Sequence, residues 1–401
     1  MAKKISKALY ATVGFVITMM LVSGCIFNFS SPKVSDIDQF IALHNNDEGK
    51  IGSGSYLSLM DVQKGEANFD HLVDIYPRIG NSMLEYVDVL GNQISLALHN
   101  DFRSMDPAPA GNHVHSWRGA VVDIQNKSWK RLPLLAASRP ANEYTTIECT
   151  PTISESGHII YVSGWNDRIY WDTWDHRVVR YNTSNDEFIA AKPVVDWAKK
   201  QPEASTATAN AWVNRGPWFA SDDGNFLYGS LWAGYYSGWV FSNEFSILCK
   251  YDIQNATFER LGSSTERKNT IYGWTADKKH ILYMAGTDKK LLNVENNTTR
   301  DVTISVANQK KIRAKWNNSG FLTEGGNIIR YHDLFQNEMI DFTVKSPVKS
   351  AQFSADGSKI YYIFESNTGK YLCRMNGLTV TASIDTVCVL PNDVFDLIVK
   401  R

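Results

Sequence analysis

The sequence predicts an all-β fold, on three observations. Aromatic residues make up 12% of its 401 positions, with 12 Trp, 18 Tyr and 18 Phe, a supply that suits pleated sheet better than helical bundles. From residue 50 onward one hairpin pattern recurs: an apolar strand, an Asp- or Asn-rich turn, then a strand carrying an aromatic residue. A second hairpin, turning at Asp-Gly or a similar pair, precedes most copies of the first.

The first hairpin is clearest at 56–70, 119–130, 177–189 and 246–259, and weaker at 289–303 and 327–343. The second stands at 150–163, 218–231, 272–285 and 351–364. Two hairpins make a four-stranded unit, and a period of roughly 40–60 residues is that of a β-propeller blade. Units fall near 80–135, 145–192, 214–262, 268–304, 310–343 and 348–383. The outer hairpin at 55–73 lacks an inner partner, and residues 384–400 are apolar strand material at the other end. Joining the two removes free sheet edges and gives seven blades, with six or eight as alternatives.

The N-terminus reads as an export signal. Lys3, Lys4 and Lys7 precede an apolar run from Ala8 to Val22, which ends at Val22-Ser23-Gly24-Cys25. This segment resembles the lipobox of bacterial lipoproteins, which implies diacylation of the Cys25 thiol after removal of residues 1–24. The run of about 15 residues is short for a ~20-residue bilayer span. Processing removes three Lys and leaves 38 basic against 42 acidic residues, a net charge of −4. Such a balance gives no electrostatic reason to expect nucleic acid. By the same resemblance Ile26, in place of the Asp that retains lipoproteins in the inner membrane, favours outer-membrane attachment facing the periplasm. The expected organisation is signal peptide 1–24, lipidated tether 25–52 and propeller 53–401.

The SADGSKIYY and SDDGNFLYG hairpins at 354–362 and 221–229 resemble the repeats of TolB-like and WD40-related bacterial propellers. That resemblance covers most of 55–400 and implies fold more than activity. The stretch before Gly52 is too short for the additional α/β domain of the TolB family, and no GxSxG nucleophile elbow is present. Phosphate-loop, HExxH and zinc-finger spacings are also absent. No cofactor is expected.

Four cysteines remain after Cys25. Cys373 and Cys388 sit on segments expected to neighbour each other, which makes them disulfide candidates in an oxidising compartment. Loop length points to a site. Segments 99–117, 163–176 and 231–245, each following a second strand, are long in three consecutive units and share one face with the connection 193–214. They carry the ligand-binding candidates Trp117, Trp165, Asp167, Arg168, Tyr170, Trp171, Trp174, His176, Trp232, Tyr235, Tyr236 and Trp239. Flat rings beside Asp, Asn and Arg suit sugar faces and peptide side chains. Packing of the rings into a rigid cap is the alternative. His99, His113 and His115 are weak metal-ligand candidates, because a His-x-His pair in extended chain puts both imidazoles on one side. The function these features favour is an anchored envelope protein that binds a protein partner or glycan. A metal- or carboxylate-dependent lyase or glycoside hydrolase is the alternative.

Overall fold

The computed structural model describes residues 37–45, 55–75, 87–99, 117–133, 144–147, 151–166, 174–190, 198–204, 210–213, 218–237, 240–262, 269–303 and 315–401. The chain opens with β1 (Phe40–Asn45), β2 (Ser55–Gln63) and β3 (Glu66–Ile75). A four-stranded sheet follows: β4 (Val87–Leu90), β5 (Gln93–His99), β6 (Trp117–Asp123) and β7 (Ser128–Arg131). The next sheet has five strands, β8 (Tyr144–Ile147), β9 (Thr152–Ile153), β10 (His158–Asn166), β11 (Trp174–Asn182) and β12 (Phe188–Ala190). So has its successor, with β13 (Asn210–Val213), β14 (Phe219–Ala220), β15 (Phe226–Ser237), β16 (Val240–Asp252) and β17 (Thr257–Arg260). Then come β18 (Asn269–Trp274), β19 (His280–Ala285), β20 (Asp288–Asn293) and β21 (Thr298–Asp301), and a three-stranded sheet of β22 (Gly320–Gly325), β23 (Ile328–Asp333) and β24 (Glu338–Thr343). The last strands are β25 (Val348–Phe353), β26 (Ile360–Ser366), β27 (Gly369–Met375), β28 (Ile384–Leu390) and β29 (Val394–Val399).

Local chemistry explains the turns. Between third and fourth strands the same four-residue turn recurs, with an Asx side chain accepting a backbone N–H three residues on. The bonds run from Asn126 N to Asp123, Asn255 N to Asp252 and Gln336 N to Asp333, at 2.9 Å each. Lys127, Ala256, Asn297 and Asn337 close these turns at φ of 48° to 54°. Between first and second strands a hydroxyl donates to an Asp two residues on, as Ser221 does to Asp223, Thr275 to Asp277 and Ser354 to Asp356. These are the turn residues that the hairpin pattern required.

Apolar clusters fill the gaps between successive strand groups, as they must when each sheet presents two faces to its neighbours. Leu57, Ile94 and Val122 lie between the first group and the β4–β7 sheet. Val121, Ile159 and Tyr181 join that sheet to the next. Trp218 and Phe245, then Trp274 and Leu248, then Trp316 and Leu282, carry the packing onward. Phe353 and Phe342 continue it, and Phe40 with Tyr361 completes it. The architecture is a β-propeller.

Its two ends meet by direct pairing. β29 runs antiparallel to β1, with Phe40 opposite Val399 and Ala42 opposite Leu397, and β1 pairs on its other side with β2. Residues 40–45 therefore leave the tether to which the sequence had assigned them: Phe40, Ile41, Ala42 and Leu43 are fully buried. The strand material at 384–400 also divides. β28 completes the preceding group by pairing with β27, and only β29 closes the ring. The expected seven separate blades are corrected too. Among the described residues five sheets stand separately, while the other eight strands form one sheet in the order β25-β26-β27-β28-β3-β2-β1-β29. A single parallel pairing, Val389 opposite Glu66, causes this by linking outer strands β28 and β3 at the rim.

The expected disulfide is absent: Cys373 and Cys388 are free and buried. A register shift between Leu372 and Cys373 sets Cys388 opposite Leu372 and Cys373 opposite Thr386. Cys388 packs with Phe40 and Leu372, Cys373 with Phe353 and Tyr362, so the thiols serve two different apolar clusters.

Candidate binding face

Strand direction assigns each turn to one of two faces. First-to-second turns gather on one face, and second-to-third turns join the connections between units on the other. The first-to-second turns bond to one another around much of the ring. Ser156 N donates to Asp222 O, Ala276 N to Asn317 O and Gly91 N to Arg401 O. Asn317 Nδ2 donates to Gly357 O, Lys278 Nζ to Asp222 and Ala355 N to the Asp38 carboxylate. At Gly357, with φ of 72°, an added Cβ would stand 2.9 Å from that of Asn317. This turn face is closely knit.

The opposite face is built from extended hairpins. Residues 231–245, expected as a loop, are instead the far ends of β15 and β16, which are 12 and 13 residues long. Pairing continues through Tyr235 opposite Ser242, Tyr236 opposite Phe241 and Ser237 opposite Val240, past a register shift after Ala233. Both described ends of 163–176 are likewise strand: Trp165 pairs with Asp175, Gly164 with His176 and Asn166 with Trp174. The aromatic and β-branched content of these segments satisfies strand preference beyond ordinary strand length. β8 and β13 brace the hairpins from the inner side, setting Thr145 opposite Trp165 and Trp212 opposite Trp232.

The predicted residues are thus placed as follows. Trp165, Trp174 and His176 lie on the β10–β11 hairpin, and Trp232, Tyr235 and Tyr236 on β15, with Trp232 half-buried. Trp117 opens β6 opposite His99, the last residue of β5. Asp167, Arg168, Tyr170, Trp171 and Trp239, together with His113, His115 and Cys25, lie outside the described residues. Among the described residues no group of three or more His, Cys, Asp or Glu side chains is set to hold a metal ion.

Sequence reasoning missed a polar relay on this same face. His44, at the end of β1, stacks on Tyr56 at 4.1 Å with an interplanar angle of 8°. Its Nδ1 lies 3.0 Å from Asp393 Oδ2 and its Nε2 lies 2.6 Å from Ser58 Oγ, while Tyr56 OH donates to Asp393 at 3.0 Å. A carboxylate only accepts, so Nδ1 carries the proton and Nε2 accepts from the Ser58 hydroxyl. Burial lowers the His44 pKa against the opposing pull of Asp393, so the imidazole stays neutral at neutral pH. The connectivity is that of a hydroxyl–imidazole–carboxylate relay, but Ser58 is fully buried. Its solvent-facing end is the carboxylate of Asp393, in the turn before β29. Here the relay clasps β1, β2 and the β28–β29 turn together. No spacing in the sequence could reveal it, since His44 and Asp393 are 349 positions apart.

Two further polar groups support the closure and the connections. Lys315 and Glu324 form an ion pair near Asp396 of β29, whose carboxyl burial pushes up to about 6 against a bond from Ser350. Arg260 holds Glu203 through two bonds of 2.8 and 2.6 Å, which fastens the connection between the β8–β12 and β13–β17 sheets to β17.

No protein-family model and no curated protein matches this chain. Several solved structures resemble it at low identity. The TolB protein of Acinetobacter baumannii is 13% identical over 90% of this chain and 82% of its own, with a TM-score of 0.36. An oligogalacturonate lyase from Vibrio parahaemolyticus is 11% identical over 89% of each chain, with a TM-score of 0.43. The periplasmic gluconolactonase of Pseudomonas aeruginosa is 12% identical over 90% of this chain and 100% of its own, with a TM-score of 0.42. These likenesses reach no further than the fold, and the strand pairing itself assigns the propeller.

Proposed function

We propose that this chain is a lipid-anchored envelope protein whose propeller binds a protein partner or glycan on the face of the extended hairpins. One observation carries the reading. Two adjacent sheets prolong the same hairpin, β10–β11 and β15–β16, and both prolongations concentrate Trp and Tyr. Backbone held in paired strands is ordered before a ligand arrives, which lowers the cost of ordering on binding. The lipobox at Val22–Cys25 supports attachment through acylated Cys25, with the outer membrane, facing the periplasm, as the favoured site. The eight-stranded sheet joins two groups of four strands along its β28–β3 edge. Phe40 and Met60 from one half of that sheet pack against Tyr361 and Leu372 from the other, as neighbouring blades do.

The test is a glycan array together with affinity capture from solubilised envelope, run on the intact protein and on a variant with residues 235–242 replaced by an Asn-Gly turn. Binding by the intact protein that the trimmed variant loses supports the proposal. Equal binding by both removes this face from consideration. Shortened oligosaccharide products in the same incubations would transfer the face to the enzymatic alternative.

A further inference from the structure

We infer that the tether leaves the propeller on its turn face, so that the hairpin face is held away from the membrane. This rests on acylation of Cys25. β1 is the second strand of its unit and runs from the turn face toward the hairpin face, so the chain enters it from the turn side. The entry is fixed there. Asp38 N donates to Tyr361 OH at 3.2 Å, and the Asp38 carboxylate accepts from Ala355 N in the β25–β26 turn. Lys400 N donates to Gln39 O, which seats the entry beside the end of β29.

Lengths decide the orientation. The 12 peptide steps from Cys25 to Ile37 span at most about 40 Å when fully extended. A propeller turned to face its own bilayer would need a tether reaching from the turn face around the rim to the hairpin tips. The β16 strand alone, at 13 residues, measures about 44 Å, and passing the third and outer strands of a unit adds about 10 Å. The tether is too short for that path. Charge does not reverse this conclusion. Among the described residues the first-to-second turns set Asp222, Asp223 and Asp356 beside Lys278, Lys279 and Lys359, so this face carries no single-sign charge that would push it off an anionic bilayer. An occupant of the hairpin face therefore arrives from the aqueous side, as a polymer or protein held elsewhere in the envelope, and is not embedded in the bilayer that holds Cys25.

Two exposed positions in one unit report the orientation. Asn318 lies in the turn before β22, and Asn327 in the β22–β23 turn at the opposite end of that strand. Asn318→Cys and Asn327→Cys, each combined with Cys149→Ser, are labelled with a fluorophore. The acylated full-length proteins are then placed on phosphatidylethanolamine–phosphatidylglycerol vesicles containing a lipid with a nitroxide headgroup. The expected result is marked loss of emission at position 318 and little at 327. Equal loss, or greater loss at 327, overturns the inference while leaving the anchor intact. Failure of both proteins to float with the vesicles overturns the anchor itself.

Discussion

Buried ionisable side chains give individual residues opposite pH dependences. The His332 imidazole stacks on Phe321 at 4.4 Å, and burial, aided by the nearby positive Arg330, holds its pKa down at about 4. The unfolded chain takes up that proton near 6.5, so this contribution to stability is intact above about 6.5 and lost as pH falls toward 4. Asp396 works the other way. Its carboxyl, pushed up to about 6, contributes stability that is complete below about 4 and lost as pH rises through 6. Each effect is on the order of 2–3 kcal/mol, and in the intact protein they offset one another between pH 4 and 6. Melting curves across that interval should separate them. Relative to the parent, His332→Leu should gain stability toward acid, and Asp396→Asn should lose it more steeply. Parallel curves for all three proteins would contradict both assignments.

Close packing is equally local. A Cβ added at Gly273 would overlap the ring of Trp316, which is buried against Phe321. Gly273→Ala should therefore cost roughly 1–3 kcal/mol, measured as a lower denaturant midpoint with an unchanged slope.

At the scale of elements, the β27–β28 hairpin shows how register controls chemistry. One bulge sends Cys373 and Cys388 into different clusters, and burial pushes the Cys388 thiol up to about 12. Both should resist alkylation in the native protein and react fully once unfolded, with no change in melting temperature on adding reductant. A reductant-dependent drop would restore the disulfide. The β15–β16 hairpin offers a complementary case. Leu231, Ala233, Phe245 and Ile247 anchor its base in an apolar cluster, which leaves the paired tip beyond Ala233 to be tested. Replacing residues 235–242 with an Asn-Gly turn should shift the melting temperature by only a few degrees, in the range a change of about 1 kcal/mol produces. A loss several times larger would show these rings to be structural.

The whole molecule depends on a strand from each end. A protein beginning at residue 37 should unfold cooperatively, because β1 and its entry contacts remain. One beginning at residue 53 should not: it leaves β29 and β2 without their common partner and opens the ring at its closure. Circular dichroism and thermal melting of the two truncations distinguish this arrangement from one in which residues 25–52 are only a tether.

The hairpin content, the Asp- and Asn-rich turns and the propeller class were legible in the sequence. Each depends on side chains a few positions apart, where the chain's own chemistry fixes the local outcome. Trp165, Trp174, Trp232, Tyr235 and Tyr236, expected in loops from segment length, lie on strands, as their β preference favours. Tertiary structure decided what short range cannot encode. Residues 40–45 became a buried strand only because β29 lies beside them, some 350 positions later. The same closure assembled the relay of His44, Ser58 and Asp393. A strand's partner, and a cysteine's place in one cluster or another, follow from register and burial across the ring, where hydrogen bonding and apolar contact act between residues that sequence proximity never brings together.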